Sequence, residues 1–351
     1  MHYASSTGGI LLVALLCAIP LMAASGRTQS GPGKLEVAVV RNDSDGPKYM
    51  AEGGLVPMLE KLGCELKGID TVALTKAEQA EYGAWNLAAL QNFHIGSLVS
   101  KNRQGGGLVL GLLTNCVDLL GMLAGLQHLQ PDVRRDSTSA ASAAGSSAAP
   151  VKVRDAREGL AGLKPLRVGL IYFDAHADFN TPETTLSGML GGMDVAIAAG
   201  MCLTRLRLKI GLDPALPTKY IVFDGLRDVD PLEQELLDRS DCESLSVADI
   251  RARGDALERQ MKRLSGLVDV IYVHVDMDVL DPSEVSGHPL TAPEGPSSAE
   301  LAAAIRVIFS HPKTAALGIA SIPFGARDKD SLSLRAAYRL IEASVLGMKS
   351  R

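Results

Sequence analysis

Two stretches of the chain place acids two residues apart directly behind an apolar run. The first is DAHAD, Asp174 to Asp178, which follows LRVGLIYF. The second is VDMDVLDP, with Asp276 and Asp278, at the end of VIYVHV. In an extended chain residues i, i+2 and i+4 point the same way, so Asp174, His176 and Asp178 are expected to converge from one strand end, and Asp276 and Asp278 from another. Open α/β sheets bind ligands beyond the carboxyl ends of their strands. Four carboxylates gathered there cannot all stay ionised without cations. Oxygen donors with some imidazole suit Mn²⁺ or a similar divalent ion, and this many donors suggests two ions. Each pair alone has a plainer reading, because Asp is common in the turn that ends a strand. The late DxD alone also looks like the nucleophile motif of haloacid-dehalogenase-like phosphatases. That motif opens its domain, however, and it leaves DAHAD unexplained.

The elements that must position these acids can be read from the apolar runs. Strands are predicted at 35–40, 107–111, 167–173, 219–224, 269–275 and 316–321. Several are continuously apolar, as strands buried on both faces of a parallel sheet are. Helices are predicted between them at Val117–Leu129, Pro231–Asp238 and Asp255–Leu264, and after a capping box formed by Ser297 and Glu300. This alternation predicts an α/β fold with helices on both sheet faces.

Composition narrows the class. Of 351 residues, 46% are hydrophobic and 21% charged, enough for a sizeable core. The net charge is −5 and aromatics are 4%, with no basic stripe, which argues against a nucleic-acid partner. The five cysteines show no CxxC pairing, so no zinc knuckle or dithiol motif is expected. Residues 1–30 read as a leader. Ile10–Met22 is a short apolar run followed by small residues, as in a secretory signal, although no Lys or Arg precedes it. Export to a periplasm or the exterior is expected if it is cleaved. An uncleaved anchor is the competing reading, and a cytoplasmic location remains if the segment is neither. The rest, 35–351, reads as one domain with a low-complexity insertion at about 137–150, where large apolar residues are missing.

The motifs DAHADFNTP followed by SG, then GLRDVDP at 225–231, then VDMDVLDP, resemble the arginase and ureohydrolase family (arginases, agmatinases and formiminoglutamases). The resemblance runs from about Leu35 to the C-terminus. It implies a three-layer α/β/α sandwich with a central, mostly parallel eight-stranded sheet, and a small-molecule substrate. It also implies two manganese ions that activate a bridging hydroxide to attack a guanidinium-type carbon, and a homo-oligomer, trimer or hexamer. The implied ligands are Asp174, His176, Asp178, Asp276 and Asp278, with Asp178 bridging the ions and orienting the nucleophile. The sixth ligand of the family is a His in GGDHS, and the matching stretch VLGLLTNCVDLLG puts Cys116 there and Asn115 before it. A coordinating thiol is deprotonated, which adds negative charge and turns the preference toward Zn²⁺ or Fe²⁺. The plain reading of Cys116 is a small buried apolar residue.

The resemblance further implies that Asn180 and Ser187 hold a substrate carboxylate and that Asp230 and Glu233 hold its α-amino group. The plain readings are a turn residue for Asn180 and helix N-terminal charge for Asp230 and Glu233. The family's proton-carrying His falls on Gly191, and its guanidinium-pairing Glu on Ser321. Arginine itself is therefore not the expected substrate. His274 stands two residues before Asp276 and is the candidate replacement proton carrier. Its plain reading is a hydrogen-bonding residue behind the ligands. His128 and His288 have no supporting pattern and are assigned to surface or loops. The expected activity is hydrolysis of a non-peptide C–N bond in a guanidino or amidino compound with an amino-acid end. The alternative is a catalytically inactive member that binds metal or an amino-acid-like ligand, or an oligomeric scaffold.

Overall fold

The computed structural model describes residues 34–103, 106–128, 164–252, 254–285 and 287–351. The predicted leader at 1–30 and insertion at 137–150 lie outside the described residues. Eight strands form one sheet: β1 (Leu35–Asn42), β2 (Cys64–Val72), β3 (Leu108–Leu112), β4 (Val168–Phe173), β5 (Ile221–Asp224), β6 (Glu243–Leu245), β7 (Val270–Asp276) and β8 (Thr314–Ala320). Their order is β2-β1-β3-β8-β7-β4-β5-β6. Every pairing is parallel, so the sheet is parallel throughout.

The two strands without a sequence prediction, β2 and β6, are the two edges. An edge strand meets solvent and has no need of a continuous apolar run. β2 accordingly exposes several positions, and only Leu245 of β6 is buried. The interior strands β3, β4, β5, β7 and β8 are buried along their whole length.

Side chains of the interior strands alternate between two cores. Ile271, Val273 and Val275 join one apolar cluster, whereas Val270 and Tyr272 join the other. The helices named below are α1 (Ala84–Arg103), α2 (Leu119–Gln127), α3 (Asp194–Ala198), α4 (Pro231–Asp238), α5 (Asp255–Leu267), α6 (Ser298–Ser310) and α7 (Leu332–Lys349). Buried residues of α5, α6 and α7 belong to the first cluster, and those of α1, α2 and α3 to the second. Helices thus cover both faces. The Ser297–Glu300 capping box begins α6 as predicted. The predicted 117–129 helix is an α-helix over Leu119–Gln127 preceded by a 3-10 turn at Cys116–Asp118. α1 and α2 approach closely because Gly121 and Gly125 face α1; a Cβ on Gly125 would lie 2.5 Å from the Gly96 carbonyl oxygen and 2.6 Å from Val99 Cβ. Among the described residues no helix is long and apolar enough to cross a membrane.

Asp224, the last residue of β5, has one carboxylate oxygen buried with no partner. Burial pushes its pKa from 3.8 up to about 8, opposed by a hydrogen bond from the Leu245 backbone. A carboxyl whose folded-state pKa is raised favours folding at low pH. That contribution is lost as the unfolded chain ionises and the folded one does not. The stability of the protein is expected to fall between pH about 4 and about 8 from this group, with a slope of at most about 1.4 kcal/mol per pH unit. Asp224→Asn should remove that component and raise stability at neutral pH. Denaturant unfolding of both proteins across this range is the check, and parallel curves would refute it.

Candidate functional site

The acids converge at the carboxyl ends of four adjacent central strands, β3, β8, β7 and β4. Cys116 follows β3, Ser321 follows β8, Asp276 ends β7 and Asp174 follows β4. The period-two argument does not describe how they converge. β4 ends at Phe173 and β7 at Asp276, and the chain turns at once. At both exits the first acid holds the turn. Asp174 Oδ1 accepts the His176 backbone N–H at 2.7 Å, and Asp276 Oδ1 accepts the Asp278 backbone N–H at 2.9 Å. These are Asx-type turns, in which an Asp side chain replaces a strand hydrogen bond.

Asp178 is then brought inward by a left-handed backbone, with φ of 47°. Its carbonyl oxygen accepts the backbone N–H groups of Val195 and Ala196 at 3.1 and 3.4 Å, which fastens it to the start of α3. Ser321 is also left-handed, with φ of 60°. Non-glycine residues in that region cluster at sites whose surroundings hold them there.

Among the described residues, four groups of candidate ligands have atoms within 4.8 Å of one another, and three of them are Cys116 with Asp174 and Asp276, Asp174 with His176 and Asp278, and Asp276 with Asp278 and His288. Cys116 Sγ is 2.6 Å from Asp276 Oδ2 and 3.8 Å from Asp174 Oδ2. Ser321 Oγ donates to Asp276 Oδ2 at 2.6 Å. His176 Nδ1 is 3.2 Å from Asp174 Oδ1 and 3.4 Å from Asp278 Oδ2. A cavity of about 350 Å³ is lined by these acids, Cys116, His176 and Ser321, and also by Asn180, Ser187, Asp230 and Glu233. Gly191 borders the same cavity, and a Cβ added there would meet nothing within 4 Å.

A model of the arginase family matches residues 143–342. The chain belongs to the arginase family. It is 31% identical over 250 residues to an arginase of Neurospora crassa, across 67% of this chain and 61% of that protein. The chain therefore spans less than two thirds of that relative's length. Its fold is similar to a solved arginase of Bacillus subtilis subsp. subtilis str. 168, with a TM-score of 0.70 and 21% identity over 89% of this chain and 98% of that one. A formimidoylglutamase of the same organism gives a TM-score of 0.62 and 16% identity, over 91% and 88% of the two chains. At such identities the likeness is one of fold.

Within this member of the arginase family, the acids are too buried to be charged together unaided. Burial, then neighbouring carboxylates, push Asp174 and Asp178 well above the usual carboxylate range. Burial also lifts Asp278 to about 6, with Asp276 adding to it. Burial and the Asp276 carboxylate raise the Cys116 thiol. His176 goes the other way. Burial disfavours its cation, but hydrogen bonds to Asp174 and Asp278 outweigh this and lift it to about 11. Such a set holds protons until a cation replaces them, which fits a site for divalent ions.

The amino-acid end of the cavity is already hydrogen-bonded. Asn180 Nδ2 donates to Asp230 Oδ2 at 3.1 Å, and Thr184 Oγ1 donates to Asn180 Oδ1 at 2.9 Å. Asp230 and Glu233 form the capping box of α4, with Pro231 at its first position. Glu233 is buried and spends both oxygens on backbone, accepting from Phe179 N at 2.7 Å and Asp230 N at 3.2 Å. Ser187 sits on an exposed loop beside Leu186 and Met189, which also border the cavity.

His274 corrects the expectation of a proton carrier at the substrate. Strand alternation does turn it to the Asp276 side, but one layer below the cavity, which it does not line. It is fully buried, stacked on Tyr172 at 5.2 Å, and its Nδ1 is 2.8 Å from Tyr272 Oη. Burial lowers its pKa to about 4, so it is neutral at pH 7. It supports the floor, where Tyr172 Oη donates to Asp178 Oδ2 at 2.5 Å. Gly318 makes room for this layer, since a Cβ there would lie 2.1 Å from Tyr272 Oη. Gly318→Ala is expected to displace Tyr272 and destabilise the protein by about 1–3 kcal/mol. Chemical denaturation measures this, and an unchanged midpoint would exclude it.

His288 is a second correction. It lies in a loop as expected, yet its side chain is only 5% exposed and turns over the later acid pair. Nε2 is 3.7 Å from Asp276 Oδ1 and Nδ1 is 3.8 Å from Asp278 Oδ2. Nδ1 accepts the Leu290 backbone N–H at 3.2 Å, which leaves the ring hydrogen of the neutral form on Nε2. Asp194 was also missed. It is completely buried at the first position of α3 and forms a fourth ligand group with Cys116 and Asp178. In sequence, MDVAIA reads as ordinary acidic charge before an apolar helix.

Proposed function

We propose that the chain is a metal-dependent hydrolase that cleaves a non-peptide C–N bond in a guanidino or amidino small molecule carrying an α-amino acid end. The observation that carries this is the shared cavity. Six candidate ligands (Cys116, Asp174, His176, Asp178, Asp276 and Asp278) border it together with Asn180 and Asp230. Two divalent ions held by those six would lower the pKa of water toward neutrality and so supply a nucleophile. Manganese is the ion that family membership suggests, and the thiol of Cys116 moves the preference toward zinc or iron.

The chain's own groups would bind and orient the substrate. Asn180 and Asp230 are a neutral donor and an acid already paired with each other. A zwitterion inserted between them has a carboxylate for the Asn180 amide and an ammonium for the Asp230 carboxylate. Ser187 adds a second donor to that carboxylate. Glu233, engaged with backbone, would act on the ammonium by its charge rather than by a new hydrogen bond. Asp178, pinned by α3 and Tyr172, would fix the direction of attack.

The test is direct. Protein loaded with Mn²⁺, Zn²⁺ or Fe²⁺ is expected to release urea or ammonia from at least one compound of a guanidino and amidino amino-acid panel. Silence with every metal at full occupancy would overturn the catalytic reading. A second reading, favoured by Gly191 and Ser321 in place of proton-carrying and charge-pairing groups, is a non-catalytic member that binds an amino-acid-like ligand at Asn180 and Asp230. Calorimetric binding without turnover would support it.

A further inference from the structure

Asp194 has a carboxylate whose two oxygens are both buried and both without a hydrogen-bond partner. One of them lies within 4.8 Å of both Cys116 Sγ and a carboxylate oxygen of Asp178. Among the described residues, His176 and His288 lie in ion-pair range of other acids of the cluster, and no Lys, Arg or His pairs with Asp178 or Asp194. The three groups are held rigidly. Asp178 is tied to the first turn of α3 through its carbonyl oxygen, and Asp194 begins that helix. Cys116 is buried in the 3-10 turn after β3.

A buried carboxylate needs a donor or a cation. A proton on Asp194, shared with the neighbouring Asp178 carboxylate, is the state that competes with a cation there. A cation needs only several anionic donors around one point, and Cys116 and Asp178 complete that set with Asp194. Zinc held by thiolate at about 2.3 Å and by carboxylate at about 2.0–2.2 Å is compatible with this spacing. Thiolate selects soft ions over hard ones such as Mn²⁺.

We propose that Cys116, Asp178 and Asp194 form a thiolate-carboxylate subsite for a soft divalent cation of the zinc class, with Asp194 as a direct ligand. This deepens the metal-binding part of the function proposed above and is independent of whether any substrate is turned over.

The test uses the full-length protein, stripped of metal and titrated with Zn²⁺, and with Co²⁺ as a spectroscopic probe. The wild type is expected to show a thiolate-to-cobalt charge-transfer absorption that Cys116→Ser abolishes. Asp194→Asn, which keeps the shape of the side chain, is expected to weaken Zn²⁺ binding at the thiolate site by about 100-fold or more. That is at or beyond the upper end of the about 10- to 100-fold typical when only an outer hydrogen-bonding partner is lost. It is also expected to shift the cobalt spectrum. Unchanged Zn²⁺ affinity and an unchanged spectrum in Asp194→Asn would overturn the proposal. X-ray absorption of zinc-loaded wild type provides the variant-free check, because absence of a sulfur neighbour to zinc would also overturn it. Loss of the subsite with turnover retained, or an intact subsite without turnover, separates this proposal from the catalytic one.

Discussion

Gly191→His is expected to raise turnover of guanidino or amidino substrates by about 10²- to 10⁴-fold, the range a positioned general acid typically contributes. The position lines the cavity, and its Cβ would meet no atom within 4 Å. Gly191 is also absent from the residues with positive φ, so an imidazole there strains no backbone. The gain should appear in kcat and bring a new pH dependence near the pKa of an ordinary His. Unchanged kcat and an unchanged pH profile would refute this role for the position. Ser321→Glu is a poorer repair. The Ser321 hydroxyl would no longer donate to Asp276, and a further carboxylate would join the cluster of acids already repelling one another.

Asp178→Asn is expected to act in opposite directions with and without metal. In the metal-free protein it removes one acid from a buried set of mutually repelling carboxylates, so unfolding should require more denaturant than in the wild type. Asn tolerates the left-handed backbone and can still accept from Tyr172, so the substitution brings no new strain. With metal present the order should reverse. A ligand at a hundredfold excess over its Kd stabilises a folded protein by about 2.7 kcal/mol, and at a thousandfold by about 4.1 kcal/mol. The wild type should gain such an increment on adding Zn²⁺ or Mn²⁺ and lose it to a chelator, and the variant should gain far less. An equal metal increment in the two proteins would remove Asp178 from the ligand set.

The interior strands and the acids at their ends were legible because each is a local, contiguous pattern. β4 is a run of apolar residues and DAHAD is its next five residues, so strand and acids are read in one window. The same is true of β7 with Asp276 and Asp278. The edges β2 and β6 were not legible, since a strand that meets solvent on one side has no apolar run to betray it. His274 misled because alternation along a strand gives the face of a residue but not its depth, and depth is what keeps it off the cavity.

The sequence by itself determined the sheet's interior, the family and the identity of the acids, because these depend on near neighbours along the chain. Only the tertiary structure decided which further groups join them. Asp194 meets Cys116 and Asp178 across 78 and 16 residues of chain respectively, and His288 folds back over Asp276 and Asp278 from a loop. No periodicity encodes such meetings. They follow from where a parallel sheet ends its strands and from the left-handed turn at Asp178, which draws the start of α3 onto the cluster.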